Sequence, residues 1–238
     1  MPATSRDERR LTGPGMRTLL AELPRRRLNF DLRALRGLSP EEAWHVDDYC
    51  RELPSEPPGP PIPGGSFEVA RRLMGDYEFA DPSVIRAVYE SDLPLEGRNM
   101  LLEIRFVGLR FHVAVRIEEV RDETREVEGR PVRVWGWAYR TLEGHFEKGQ
   151  MDYEVWKWLD DGRVEFRIHA VSEMAEIRNP LVRIGFRLFG RREQVRFARR
   201  CGERLVRFTT AVLDRGAAAE PRPAVVDGLA VSPTAAPG

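Results

Sequence analysis

Three side chains that could move protons stand within one nine-residue stretch of the chain. Tyr139, His145 and Glu147 supply a hydroxyl donor, a base that changes charge near neutral pH, and a carboxylate that could orient the base. The unperturbed imidazole pKa of about 6.5 suits acid–base chemistry. One hypothesis is therefore an enzyme with these three catalytic residues. The alternative for His145 is structural, as a hydrogen-bonding side chain that stabilises a turn.

Other kinds of catalytic site lack their signatures. No nucleophile motif, glycine-rich phosphate loop or cluster of metal ligands accompanies the three residues. The two cysteines, Cys50 and Cys201, are far apart and match no metal or redox spacing. We therefore predict neither a metal site nor a cofactor.

Strand-like segments flank the stretch, and the first has two faces of different character. Along residues 132–141, small and aliphatic side chains alternate with aromatic ones, and alternate side chains of a strand lie on opposite faces. An aromatic face covered by a helix could line a cavity for an apolar ligand. A filled core would use the same residues, so both interpretations stay open. The predicted ligand-binding residues are Trp135, Trp137, Tyr139, Phe106, Phe111 and Phe166.

The same stretch resembles a known family. Its sequence Tyr139-Arg-Thr-Leu-Glu-Gly-His145-Phe-Glu-Lys-Gly149 is similar to the Tyr-x-Thr-Leu-x-x-His-x-x-x-Gly motif of a family catalogued as a domain of unknown function, DUF1990. The run from Ile168 to Ser172, then Asn179-Pro180, resembles the C-terminal half of that family. The likeness extends from Pro40 to Leu213. Members usually carry Glu after the last motif glycine, where this chain has Gln150. The family has no established activity, so the resemblance implies a fold.

The spacing of apolar residues changes twice along the chain. Short helices are predicted at residues 16–23, 39–53, 66–74 and 81–90, from capping residues and helical spacing. Alternation over residues 100–173 predicts antiparallel strands, and steps of three and four over 180–213 predict a long amphipathic helix. The fold class is therefore α+β. The element order is similar to the START-like helix-grip superfamily, in which a curved antiparallel sheet grips a long C-terminal helix. That resemblance implies a cavity between sheet and helix.

Composition suggests three regions. Residues 1–38 are predicted to be a mobile, arginine-rich arm, with contact to an anion as an alternative role. Residues 39–214 are predicted to form the single α+β domain. Residues 215–238, rich in Ala and Pro, are predicted to be a disordered tail. Nothing near the N-terminus resembles a cleavable apolar segment, and no run approaches the roughly 18 apolar residues of a membrane span, so we predict a cytoplasmic protein without a transmembrane segment.

Charge is concentrated in the predicted C-terminal helix. The formal net charge of the whole chain is zero, yet residues 180–215 hold ten arginines against three acidic residues. This face could make a weak contact with an acidic partner or membrane as an interaction module. It lacks the interleaved aromatic residues that stack on bases, so specific nucleic-acid binding is not predicted. The residues proposed for the anionic contact are Arg192, Arg196, Arg199 and Arg200.

The sequence thus leaves three hypotheses for the function. The preferred one is binding of a small apolar ligand between the sheet and the C-terminal helix. The alternatives are acid–base catalysis by the residues of the motif and an interaction surface on the C-terminal helix.

Overall fold

A single antiparallel sheet and one long helix dominate the computed structural model. The structure describes residues 5–33, 44–106, 108–175, 180–216, 218 and 220–234, with backbone alone for 106 and 180–193. Its helices are α1 (Arg6–Leu11), α2 (Pro14–Glu22), α3 (Ser66–Gly75) and α4 (Pro180–Arg215). Its strands are β1 (His45–Leu53), β2 (Ile85–Glu90), β3 (Asn99–Phe106), β4 (Leu109–Val127), β5 (Arg130–Thr141), β6 (Glu147–Trp158), β7 (Val164–Met174), β8 (Ala224–Val226) and β9 (Leu229–Ser232).

All neighbouring strands of the sheet are antiparallel. The strand order is β1-β7-β6-β5-β4-β3-β2-β9-β8, so the six strands β2 to β7 follow one another as a meander. Between Ile117 and Glu119 the register of β4 against β5 shifts, and such a bulge adds local twist. The alternation predicted for residues 100–173 is thereby confirmed.

Helix α4 lies against one face of this sheet. Its apolar stripe is buried in the same cluster as the sheet residues Val115, Trp137, Tyr153 and Phe166. The predicted fold class, a curved antiparallel sheet with a long C-terminal helix and short N-terminal helices, is confirmed. Among the described residues, no helix is both long and apolar enough to cross a membrane. The helix contributes Ala198, Cys201, Leu205, Phe208 and Val212 to the cluster.

The helix predicted over residues 39–53 is wrong where it can be compared. Residues 45–53 form β1, which pairs with β7 along its whole length, while 39–43 lie outside the described residues. The apolar spacing that suggested a helix does not match the burial. Val46 is half exposed, whereas Asp47 and Leu53, on the opposite face of the strand, are buried. Pairing with β7 therefore overrides the local pattern.

The helix predicted over 81–90 is also wrong. Asp81 Oδ1 accepts a hydrogen bond from the Ser83 backbone N–H at 2.7 Å, and the chain then extends into β2. An Asp at the start of a turn makes the same local bond as an Asp that caps a helix, so the signal does not distinguish them. The two remaining helix predictions are confirmed as α2 and α3.

Described segments near both ends of the chain pack against the sheet. The tail predicted to be disordered contains β8 and β9, joined by a turn at Asp227-Gly228 in which both residues have positive φ. Strand β9 is buried and pairs with β2. The arm predicted to be mobile contains α1 and α2, whose leucines lie against the sheet face opposite α4. The buried leucines are Leu11 of α1, Leu20 of α2 and Leu23 in the turn that follows α2.

Candidate functional site

The motif closes the hairpin between β5 and β6. Thr141, at the end of β5, is buried, and its hydroxyl oxygen accepts a hydrogen bond from the Gly149 N–H at 2.9 Å. The same hydroxyl lies 2.6 Å from Asn29 Oδ1. Gly149 has φ +149°, and a Cβ there would lie 2.0 Å from the Val171 carbonyl oxygen. The threonine and the last glycine of the motif therefore hold the loop between β5 and β6 against β7.

We expect Thr141→Val to lower the free energy of unfolding by about 1–2 kcal/mol, because the buried Gly149 N–H loses its acceptor. Urea unfolding measures the change. The matched control is Thr124→Val, at an exposed position of β4, which should stay within about 0.5 kcal/mol of the wild type. Equal effects of the two substitutions would contradict the role assigned to Thr141.

A small cavity lies beside this loop, between the ends of β1, β5, β6 and β7 and helix α4. Its volume is about 40 Å³, enough for one or two water molecules. Most of its walls are apolar, and the polar side chains gather towards the loop and β1. The apolar wall consists of Tyr139, Met151, Ile168, Ala170, Phe197 and Ala198, and the polar side chains include Asp47, His145, Glu147 and Gln194.

Glu147 is the acidic group of the loop that faces this cavity. Burial raises the pKa of its carboxyl from 4.5 to about 7, and the nearby Asp47 adds to the rise. Gln194 Nε2 donates to Glu147 Oε1 at 2.6 Å, which opposes the rise without cancelling it. Near neutral pH the carboxyl therefore exists in both its protonated and its ionised forms.

His145 is held by the backbone of its own loop. Its Nδ1 accepts a hydrogen bond from the Glu147 N–H at 3.0 Å, so the neutral ring carries its proton on Nε2. Burial lowers the pKa of the imidazole to about 4. The side chain is thus neutral at pH 7 and already stabilises the turn, as the structural alternative for this residue requires.

The three predicted catalytic residues all line the cavity. The Tyr139 hydroxyl donates to Met151 Sδ at 3.6 Å, and burial raises its pKa well above the ordinary value. In the described structure, no hydrogen bond between two side chains joins any pair among Tyr139, His145 and Glu147. The fold brings the three groups together without forming a proton relay among them.

The aromatic face of β5 packs as a core. Trp137 is fully buried, its ring centroid lies 4.8 Å from that of Tyr153 and 6.1 Å from that of Phe79, and its indole N–H donates to the Met74 carbonyl. Phe166 is buried in the same cluster. These rings occupy the middle of the space between the sheet and α4.

Two other predicted ligand-binding residues, Trp135 and Phe111, lie away from the cavity. Trp135 is covered by Arg71, whose guanidinium carbon is 5.5 Å from the ring centroid. Phe111 packs edge-to-face on Phe146, and the side chain of Phe106 lies outside the described residues. Of the five predicted ligand-binding residues whose side chains the structure describes, Tyr139 is the one placed on the cavity wall.

Comparison with known proteins identifies the family. The model of a family described as "Domain of unknown function (DUF1990)" matches residues 31–204, well over half of the chain. The chain belongs to the DUF1990 family. The predicted resemblance is confirmed, with a match that starts and ends about nine residues earlier than the motifs indicated. No curated protein matches.

Several solved structures are similar to this DUF1990 chain at low identity. Ara h 8.0201 is 11% identical, with 71% of this chain and 99% of that chain covered and a TM-score of 0.40. A START superfamily protein from Mycobacterium smegmatis is 12% identical, with 71% and 99% covered and a TM-score of 0.39. Human STARD10 is 8% identical, with 90% and 85% covered and a TM-score of 0.38.

Sequence reasoning missed several residues of the DUF1990 cavity. Gln194, Phe197 and Ala198 are three and four residues apart, so helical spacing places them on one face of α4. That spacing could have indicated that one face of α4 lines the cavity beside the loop. Asp47 was missed because its strand was predicted to be a helix. Across the described residues, no group of three or more His, Cys, Asp or Glu side chains could hold a metal ion.

The arginine face of α4 is partly tied into the fold. Arg200 donates to Asp81 Oδ2 at 2.9 Å and to Ser83 Oγ at 2.6 Å. Arg199 is two-thirds exposed and lies 3.5 Å from Glu203. Arg196 is exposed, and the side chain of Arg192 lies outside the described residues. Contact with an anionic partner stays a prediction for this face.

Proposed function

We propose that this DUF1990 protein binds a small, largely apolar molecule with one polar group, in the cavity beside the β5–β6 loop. The observation that supports the proposal is that the cavity wall has an apolar part and a polar part. Its deep part is apolar, while Glu147 and Gln194 lie together at the loop end.

This arrangement matches a ligand with an apolar body and a polar head. The body would lie against Tyr139, Met151 and Phe197, where each buried methylene group contributes about 0.8 kcal/mol. A hydroxyl or carbonyl at the head would exchange hydrogen bonds with Glu147, which donates when protonated, and with the Gln194 amide. The buried polar groups of the ligand and of the protein would then hydrogen-bond to each other, which offsets the cost of removing them from water.

The volume of the cavity sets a condition on binding. A cavity of about 150 Å³ holds benzene, whereas this one is about 40 Å³. Binding therefore requires part of the wall to move, and the proposed mobile part is the helical turn from Gln194 to Ala198. Phe197 is only partly buried, so its displacement costs less than displacement of the Trp137 cluster.

A cavity-filling substitution tests the proposal. Ala198→Leu adds volume at the cavity wall, where overpacking costs about 1–3 kcal/mol, and we expect it to weaken binding of anilinonaphthalene sulfonate by about tenfold or more. Any ligand that copurifies with the wild type, detected by native mass spectrometry, should also be depleted.

The control is Ala211→Leu, a buried position of the same helix that does not line the cavity. It should change stability to a similar extent and leave probe binding unchanged. Equal probe affinity for wild type and Ala198→Leu, with no copurified species, would rule out this site.

Acid–base catalysis in the same cavity is the second candidate. A carboxyl whose pKa lies near 7 is suited to donate or accept a proton at neutral pH, and Glu147 meets that condition. In this case Glu147 would be the acid–base group, because the His145 ring is neutral and its Nδ1 is occupied by the backbone. Turnover that disappears in Glu147→Gln and persists in His145→Gln would favour catalysis over binding alone.

A further inference from the structure

Arg86 is a buried arginine that makes no ion pair with a described residue, although it lies opposite Glu103 in the register of β2 against β3. It lies on β2, is 5% exposed, and its Nε and Nη1 atoms are buried with no hydrogen-bond partner among the described residues. Two other buried cations of the chain are paired: Arg204 with Glu78 at 3.0 Å and Lys157 with Glu56 at 2.6 Å. A buried charge without an ion pair destabilises the folded state, so an anion bound beside Arg86 would stabilise it.

The neighbourhood of Arg86 contains more cations than anions. Arg105 on β3 lies near it, and Arg10 and Arg110 contact the same carboxylates as Arg105, which gives four guanidinium groups in all. Two carboxylates, Asp7 and Glu103, lie among them. We call these six residues the α1 corner.

Each carboxylate of the α1 corner already contacts at least two arginines other than Arg86. Glu103 is fully buried, 2.6 Å from Arg10 and 3.1 Å from Arg105, and His112 Nε2 lies 3.3 Å from it. Asp7 contacts both Arg105 and Arg110.

Charged residues on the neighbouring elements do not make up the shortage of negative charge in the α1 corner. Glu8 on α1 uses an oxygen to accept the Ser5 backbone N–H. Burial is the main cause that lowers the pKa of Arg86, and Arg105 adds to the fall, while Asp7, Glu8 and Glu103 oppose it. The Arg110 side chain is 44% exposed, so the corner is open to solvent on that side.

We infer that the α1 corner binds a small oxyanion of the phosphate or sulfate type, with Arg86 as its inner contact and Arg105 and Arg110 as its outer ones. Planar guanidinium groups bind such anions through paired N–H donors, and several arginines around one site add their charges. The site lies on the opposite face of the sheet from the cavity. Its occupancy is therefore independent of the ligand proposed there.

Thermal unfolding in phosphate tests this inference. At saturating inorganic phosphate, compared with chloride at the same ionic strength, the melting temperature of the wild type should rise by about 5–10 °C. Arg86→Met should lose that rise and, in chloride, be at least as stable as the wild type. Isothermal titration should show phosphate affinity about tenfold weaker or worse in this variant. A soluble phosphomonoester, phosphoserine, forms a parallel arm, and tighter binding of it than of phosphate would identify an ester as the better ligand.

Two further variants keep the result interpretable. Arg86→Lys keeps the charge without the paired donors and should also bind phosphate weakly, which covers the case in which the methionine variant does not fold. Arg130→Met, at a surface arginine paired with Asp160 and Asp161, should keep the full rise. A rise of the same size in Arg86→Met, or no rise in the wild type together with a less stable Arg86→Met in chloride, would overturn the inference.

Discussion

Replacing Lys157 by methionine is expected to lower the free energy of unfolding by about 3–5 kcal/mol, because it leaves a carboxylate buried without its counter-charge. The Lys157 side chain is fully buried and its Nζ lies 2.6 Å from Glu56 Oε2 and 2.9 Å from the Pro60 carbonyl oxygen. Glu56 also accepts the backbone N–H groups of Ile62 and Phe67. One ion pair therefore joins β6, the proline-rich segment of residues 54–65 and the start of α3.

A double-mutant cycle measures the coupling between the two charges. Glu56→Gln alone should also cost about 3–5 kcal/mol, since it leaves the ammonium group buried. The double variant should cost clearly less than the sum of the two, because neither charge is then left alone. Urea unfolding of the four proteins provides the values.

The chain contains a matched control in Lys148, the other of its two lysines. Lys148 lies 3.7 Å from Glu173 with a third of its side chain exposed, so Lys148→Met should cost less than about 1 kcal/mol. Additive effects of Glu56→Gln and Lys157→Met, or equal costs at the two lysines, would show that the buried pair has no special role.

The central sheet could be predicted from the sequence because alternation of apolar residues is strong there. Strands β3 to β7 bury apolar residues in the cluster beneath α4, and some of them also in smaller clusters on the other face of the sheet. Apolar residues therefore recur with a period of two in these strands. Strand β1 carries no such record. Its buried Asp47 and half-exposed Val46 reverse the usual relation of polarity to burial, so only its pairing with β7 fixes its structure.

The sequence contains a hairpin signal for the two C-terminal strands, which the Ala- and Pro-rich composition outweighed in the prediction. Asp227-Gly228 stands between Val226 and Leu229, and such a pair between apolar residues is a strong hairpin signal. The surrounding Ala and Pro suggested disorder instead. Both turn residues have positive φ, as a tight hairpin of this kind requires.

The candidate site was predictable only as far as it is local in sequence. The motif places Tyr139, His145 and Glu147 on one loop, and all three do line one cavity. The contribution of Gln194 comes from a helix 47 residues away in the chain and depends on how α4 crosses the sheet. The volume of the cavity depends on side-chain packing, which a pattern of residue types does not specify.

Between about pH 4.5 and 6.5, the loop is expected to change the stability of the wild type little, because two partly buried groups there oppose each other. Glu147 has a pKa raised to about 7, so the folded state binds its proton more tightly than the unfolded state. Its contribution is fully present below pH 4.5 and is lost as the pH rises through 7. His145 has a pKa lowered to about 4, so its contribution is present above pH 6.5 and is lost as the pH falls through 4.

Single substitutions should separate these opposing effects. In His145→Gln, Glu147 acts alone, and the free energy of unfolding should rise by about 2–3 kcal/mol as the pH falls from 7 to 4.5. In Glu147→Gln, His145 acts alone, and the free energy of unfolding should fall by about as much between pH 6.5 and 4. Urea unfolding from pH 4 to 8 measures both curves relative to the wild type.

The double variant is the control, since ionisations elsewhere in the chain are common to all four proteins. Between about pH 4.5 and 6.5 its curve should run parallel to that of the wild type, because both loop contributions are removed together. At pH 8, Glu147→Gln should be more stable than the wild type, since it no longer buries an ionised carboxylate beside Asp47. Single variants whose curves slope in the same direction would show that the loop does not bury these two groups as the structure indicates.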